Sequence, residues 1–154
     1  MTVEEDEGPS KVRFEKIPTL RPAFEREGTI TAANASKIND GAAALVLMDS
    51  DFAKKNNFCI EAKIISSATF AQDPEWFTTA PSLAIKKALA NASLKVSDID
   101  YFEINEAFSV VAMAAIKDLG LKRDQVNTHG GAVALGHPIG CSGARVLTTL
   151  LKTL

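Results

Sequence analysis

Cysteine and histidine are both scarce in this chain: Cys59 and Cys141, His129 and His137, in 154 residues. Two cysteines do not make the disulfide framework of a small secreted domain, so a reducing compartment is expected, with the cytoplasm as the location and the mitochondrion or peroxisome as the alternatives. No paired metal-ligand pattern is present either. His129, His137 and Cys141 would still leave zinc short of a fourth ligand, and no metal is expected. An excess of one charge is also missing. The net charge is -2 and the lysines are dispersed, which argues against a nucleic-acid partner. No apolar run approaches the roughly 20 residues of a membrane-spanning helix. The acidic Glu4-Glu5-Asp6-Glu7 is unlike a secretory leader, so no membrane partner is expected. What is present is 46% hydrophobic residues, enough for about one domain with a real core.

Residues 1–28 are charged and punctuated by Pro9, Pro18 and Pro22, and read as a linker or the tail of a preceding domain. Residues 29–154 read as the folded domain. Within them, the apolar run 42–48 fits a strand buried on both faces, with helix as the alternative. Residues 51–57 suggest an exposed helix and 60–68 another strand. Ala80-Pro81 opens a helix with Ile85, Ala88, Leu89 and Ala92 on one face. Residues 100–104 suggest a further strand, and Phe108, Val111, Ala112, Ala115, Ile116 and Leu119 an amphipathic helix ended by Gly120. Strands alternating with helices point to an α/β layered domain with much parallel pairing. In such sheets ligands gather at the carboxyl ends of strands, where Asn105 lies.

Five of the nine glycines and both histidines fall between His129 and Arg145. Pro138 disfavours helical geometry at His137, so that imidazole is presented from an irregular turn. Leu147, Leu150, Leu151 and Leu154 then restore helical spacing, with Ser142 a possible N-cap. A glycine-rich loop opening a helix suits an anion or a developing oxyanion. The phosphate-loop lysine and hydroxyl are absent, which disfavours a nucleotide site. Glycine and proline beside His137 make a packed core position improbable for that histidine. Asn105 taken alone reads as a helix cap. Cys141 near His137 is a weak suggestion of a nucleophile with its base.

Asn105-Glu106-Ala107-Phe108, Gly130-Gly131-Ala132, Gly136-His137-Pro138-Ile139-Gly140 and Ser142-Gly143-Ala144-Arg145 together resemble the C-terminal half of thiolases. Arg21-Pro22-Ala23-Phe24, Thr31-Ala32-Ala33-Asn34-Ala35-Ser36 and Asn39-Asp40-Gly41-Ala42-Ala43-Ala44 fit the same family in the same order. The resemblance runs from about Glu5 to Leu154, and Phe77-Thr78-Thr79-Ala80-Pro81 is most similar to the biosynthetic acetoacetyl-CoA branch.

The resemblance implies a thiolase-like layered α/β fold, its C-terminal half only, with the sheet lacking its final strands. It implies condensation of two acetyl-CoA to acetoacetyl-CoA and CoA, and the reverse thiolysis. The residue matching His137 would meet the developing oxyanion and assist activation of a nucleophilic cysteine, and Asn105 would position a water that completes the oxyanion site. Ser36, Ala23, Phe24, Ala107 and Phe108 would lie along the coenzyme A path, where small and apolar side chains suit a narrow tunnel. No cofactor is implied, the coenzyme A thioester being substrate. The expected partners are acetyl-CoA or acetoacetyl-CoA, the N-terminal half of the thiolase, and further copies in a homo-oligomer. The family's acylated cysteine and its second, acid–base cysteine have no counterpart here: Cys141 sits in the loop after the histidine and Cys59 at the start of a predicted strand. A chain with half an active site and no nucleophile is therefore expected to be inactive by itself. The alternatives are a longer-chain 3-ketoacyl-CoA thiolase, and a short non-catalytic protein that binds coenzyme A or pairs with a thiolase subunit.

Overall fold

The computed structural model describes residue 2 and residues 4–154. Its organising core lies between two helices, α3 (Ala80–Asn91) and α4 (Ser109–Leu119), which pack on each other. Phe102, Ile104, Val111, Ala112, Ala115, Leu121 and Val126 are buried together, with Ile85, Val96, Ile99, Ile116 and Leu119 packed around them. Val111, Ala112 and Ala115 recur at helical spacing, so α4 turns one stripe inward. Each fully buried Val, Leu, Ile or Phe of this cluster contributes about 1.5–3 kcal/mol relative to exposure. α3 starts with Pro81 in its first turn, where the missing N–H has no partner to lose. α4 stops where Gly120 takes a left-handed conformation at φ 66°. Two short helices precede them, α1 (Glu7–Lys11) and α2 (Ser50–Lys55), and α2 is capped by the Asp49 carboxylate on the N–H groups of Asp51 and Phe52. The four-residue α5 (Ala132–Leu135) and α6 (Ser142–Thr153) close the chain.

The expected helices form close to where the periodicity places them, but the expected strands do not form ladders. Among the described residues pairing is limited to two isolated bridges, Phe102 with Val126 in parallel and Ala35 with Phe108 antiparallel. The run 42–48, read as a strand buried on both faces, is neither: Val46 is 86% and Leu47 69% exposed. Residues 60–68 likewise run without a ladder, with Ile64 and Ile65 exposed. The physical reason is that a strand needs neighbouring backbone for its N–H and C=O groups, and apolar side chains alone do not supply it. Residues 66–69 instead run along α3: Ser66 Oγ donates to Ala88 O at 2.9 Å and Lys87 Nζ to Thr69 O at 3.2 Å. Residues 100–104 are extended in function if not in name, since Phe102 N–H donates to Gln125 O and Phe102 O accepts from Asn127 N–H.

Candidate active site

Asn105 leaves the core directly after Ile104, and a second asparagine fixes that exit. Asn127 is 3% exposed. Its Oδ1 accepts from Ile104 N–H at 2.8 Å, while its Nδ2 donates to Ile104 O at 2.9 Å and to Glu106 Oε1 at 3.0 Å. One side-chain amide thus imitates a paired strand and pins the residues on both sides of Asn105. Glu106 continues the frame, its Oε2 accepting from Val133 N–H in α5 at 3.4 Å. The sequence reading of Asn105 as a helix cap fails for a local reason. α4 begins three residues later than a cap at 105 requires, with Phe108 at the N-cap and no side-chain cap hydrogen bond.

His137 lies in the turn between α5 and α6. Gly136 before it has φ 95°, and a Cβ there would stand 2.5 Å from Asn39 Cγ, so the close passage of backbone over residue 39 requires glycine. After it, Pro138 O accepts the N–H groups of Cys141 at 2.7 Å and Ser142 at 2.9 Å, closing the turn into α6. Ser142 is the first residue of that helix and Cys141 its N-cap, which corrects the expected capping role of Ser142. The Ser142 hydroxyl is used elsewhere, 2.7 Å from His137 Nδ1 and 3.1 Å from Pro138 O.

The two turns meet. Asn105 Nδ2 stands 3.5 Å from His137 Nε2, across 32 positions of sequence. Asn105 Oδ1 is buried without a hydrogen-bond partner. Residues 34–37 clip the turns together through main chain: Ser109 N–H donates to Asn34 O, Ser36 N–H to Ala107 O, and His137 N–H to Lys37 O at 2.7 Å. The Ser36 hydroxyl adds a bond to Ala107 O at 2.8 Å. Phe108 is met edge-on by Phe24 at 5.6 Å and by Phe77 at 6.2 Å between ring centroids. The sequence-derived set Phe24, Ser36, Ala107 and Phe108 is therefore one neighbourhood beside Asn105, with Ala23 in an exposed turn held by its N–H to Ile30 O. Asn127, Glu106 and Phe77 complete the frame without having been singled out. Glu106 and Phe77 lie within the motifs that carry the family resemblance, whereas Asn127 lies outside them.

Behind the site, Glu103 and Arg145 approach to 3.9 Å with side chains 4% and 18% exposed. Burial raises the Glu103 carboxyl above its ordinary value, against the opposing pull of Arg145 and, more weakly, His129. Glu103 Oε2 and all three guanidinium nitrogens of Arg145 are buried without a hydrogen bond. Of the cysteines, Cys141 is buried and Cys59 exposed, and neither is hydrogen-bonded to His137 among the described residues.

Two domain families match the chain: the thiolase N-terminal domain over residues 1–51 and the thiolase C-terminal domain over residues 58–154. Acetyl-CoA acetyltransferase 2 of Arabidopsis thaliana is 56% identical over 153 residues, covering 99% of this chain and 38% of that protein. The Acat5 thiolase of Ascaris suum, solved in complex with coenzyme A, superposes with a TM-score of 0.90 at 44% identity, over 99% of this chain and 40% of that one. Human mitochondrial 3-ketoacyl-CoA thiolase superposes at 0.86 with 35% identity, over 97% and 38%. The chain thus spans about two fifths of the length of the proteins it matches.

Proposed function

The chain belongs to the thiolase family, and from that premise we propose that its residues supply the acid–base and oxyanion side of an acyltransferase site. The reaction condenses two acetyl-CoA molecules to acetoacetyl-CoA and CoA, and runs in reverse as thiolysis. A cysteine thiolate first takes an acetyl group from acetyl-CoA, releasing CoA. The second acetyl-CoA then gives a proton from the carbon beside its thioester to the family's second, acid–base cysteine, which these residues do not supply, and the electron pair moves onto the carbonyl oxygen. The enolate carbon attacks the acetyl-cysteine carbonyl. A carbon–carbon bond forms, the carbon–sulfur bond breaks, and the thiolate leaves.

His137 is the catalytic base toward the nucleophilic thiol. The proton it gains at Nε2 is then the donor that meets the enolate oxygen, and the Asn105 amide holds a water that supplies the second donor. Such preorganised donors act only as charge develops and are worth the most in a site that excludes water. Ser36, Ala23, Phe24, Ala107 and Phe108 form the wall along which the pantetheine arm lies. The observation that carries the reading is the approach of the Asn105 amide to His137 Nε2, with Asn105 Oδ1 still unsatisfied. The nucleophile is not assigned to Cys59 or Cys141, because among the described residues neither is hydrogen-bonded to His137, whose ring contacts are Asn105 and Ser142. Identity of 56% to the acetyl-CoA acetyltransferase supports the two-carbon substrate.

The test is a chimera in which this sequence replaces its 153 matching residues in the Arabidopsis relative. It should cleave acetoacetyl-CoA with CoA, while the 154-residue chain by itself should give no thiolysis above a blank. In the chimera His137→Ala should lower turnover by about a hundredfold or more, the loss expected for an oxyanion donor. Asn105→Ala should cost less, because water partly takes its place. Near-normal turnover in the histidine variant removes the basis of the assignment.

A further inference from the structure

His137 has a neighbour at each ring nitrogen, and the two neighbours select the same protonation pattern. Ser142 Oγ is 2.7 Å from Nδ1 and 3.1 Å from Pro138 O. A serine hydroxyl has one proton to give and two lone pairs to offer. With that proton directed at Pro138 O, beside the backbone N–H groups of Cys141 and Ser142 that the same carbonyl accepts, the contact with Nδ1 is completed by an N–H of the ring. At the opposite side of the imidazole stands Asn105 Nδ2, a group that only donates, 3.5 Å from Nε2. An amide N–H facing Nε2 is satisfied by a bare nitrogen and opposed by a protonated one.

We propose that Ser142 is a positioning residue that holds His137 in the Nδ1–H tautomer and leaves Nε2 as a bare proton acceptor. The hydrogen bond made by one ring nitrogen decides which proton the other carries. Ser142 suits this role because its backbone N–H is fixed to Pro138 O at the start of α6, so its hydroxyl is carried by helix rather than by loop. The inference rests on the thiolase reading only for its catalytic consequence. Under that reading Nε2 takes the thiol proton in the resting enzyme and returns it as a donor to the enolate oxygen, one nitrogen serving both steps in sequence.

The direct test is nitrogen NMR of the 15N-labelled 154-residue chain, with long-range proton–nitrogen correlations recorded above the range in which imidazole titrates. Only His129 and His137 contribute, and His129→Gln assigns them. His129 is solvent-exposed and serves as the internal reference. The expected result is Nδ1–H at His137, a change toward Nε2–H in Ser142→Ala, and retention of Nδ1–H in Ser142→Thr, with His129 the same throughout. A wild-type His137 carrying its proton on Nε2 overturns the proposal, as does a tautomer indifferent to Ser142→Ala. If the alanine chain does not fold, the threonine chain decides: retained Nδ1–H supports the proposal and its loss overturns it. In the chimera, Ser142→Ala should lower kcat about tenfold with little change in KM, and Ser142→Thr should restore it. The expected tautomers in a chimera without thiolysis would leave the positioning role standing and sink the thiolase reading.

Discussion

Replacing Asn127 with alanine removes three hydrogen bonds from a residue that is 3% exposed, and the consequences separate by group. The N–H and C=O of Ile104 lose their side-chain partner, and Glu106 loses a donor to Oε1. A buried polar group left unsatisfied costs about 1–3 kcal/mol, and Ile104 is 5% exposed, so water does not readily replace the amide. Backbone conformation adds to this. Asn127 sits at φ 50°, where a residue with a Cβ is disfavoured by about 1 kcal/mol and asparagine is better tolerated than alanine. Together these predict a loss of about 3–5 kcal/mol for Asn127→Ala, a large part of the roughly 5–15 kcal/mol that holds a typical domain. Asn127→Gly loses the same hydrogen bonds but is free of the φ penalty, so glycine should be the less harmful substitution by about 1 kcal/mol. Urea unfolding followed by circular dichroism, at protein concentrations low enough to suppress association, measures both. A cost below about 1 kcal/mol for alanine, or a glycine variant less stable than the alanine variant, would refute the reasoning.

In the active chimera Cys141→Ser should leave turnover nearly unchanged. Covalent labelling of Cys141 by acetyl-CoA, or an inactive serine variant, would show that the chemistry has been misplaced. The raised Glu103 carboxyl sets a pH dependence of definite sign. The folded state holds that proton more tightly than the unfolded one, so the stability it confers is full below the ordinary carboxyl value of 4.5 and is lost as pH rises through the raised folded value. Stability profiles of wild type and Glu103→Gln should therefore differ in slope across that window, and parallel profiles would contradict it. Val46, Leu47, Ile64 and Ile65, all more than half exposed, should make the chain self-associate. Light scattering and thermal unfolding across a concentration series check this, a concentration-independent monomer transition being the contrary result.

The helices were legible because periodicity is local: α4 can be read from Val111, Ala112 and Ala115, and its end from Gly120, without knowing what it packs against. The strands were not, because the run 42–48 specifies apolar side chains but not the backbone that would pair with it. His137 was legible through the crowding of glycine and proline around it, since such residues mark backbone forced through a special turn. Ser142 lies one position past the cap that the spacing predicts, the step that separates a helix N-cap from its first turn and directs the hydroxyl to the imidazole. Asn127 was invisible, its partners Ile104 and Glu106 lying 23 and 21 residues away.

The clip formed by residues 34–37 works mainly through main-chain atoms. Asn34 and Lys37 each offer a carbonyl oxygen, and Ser36 an N–H reinforced by its hydroxyl. The separation of Asn105 from His137 is consequently encoded where substitution scarcely reaches: the Lys37 side chain is solvent-exposed, and exchanging it would leave its carbonyl on His137 undisturbed. Insertion or deletion is another matter. One residue added between Ser36 and Lys37 would keep every functional side chain and yet shift one turn against the other, so tolerance in this stretch should be wide for residue identity and narrow for length.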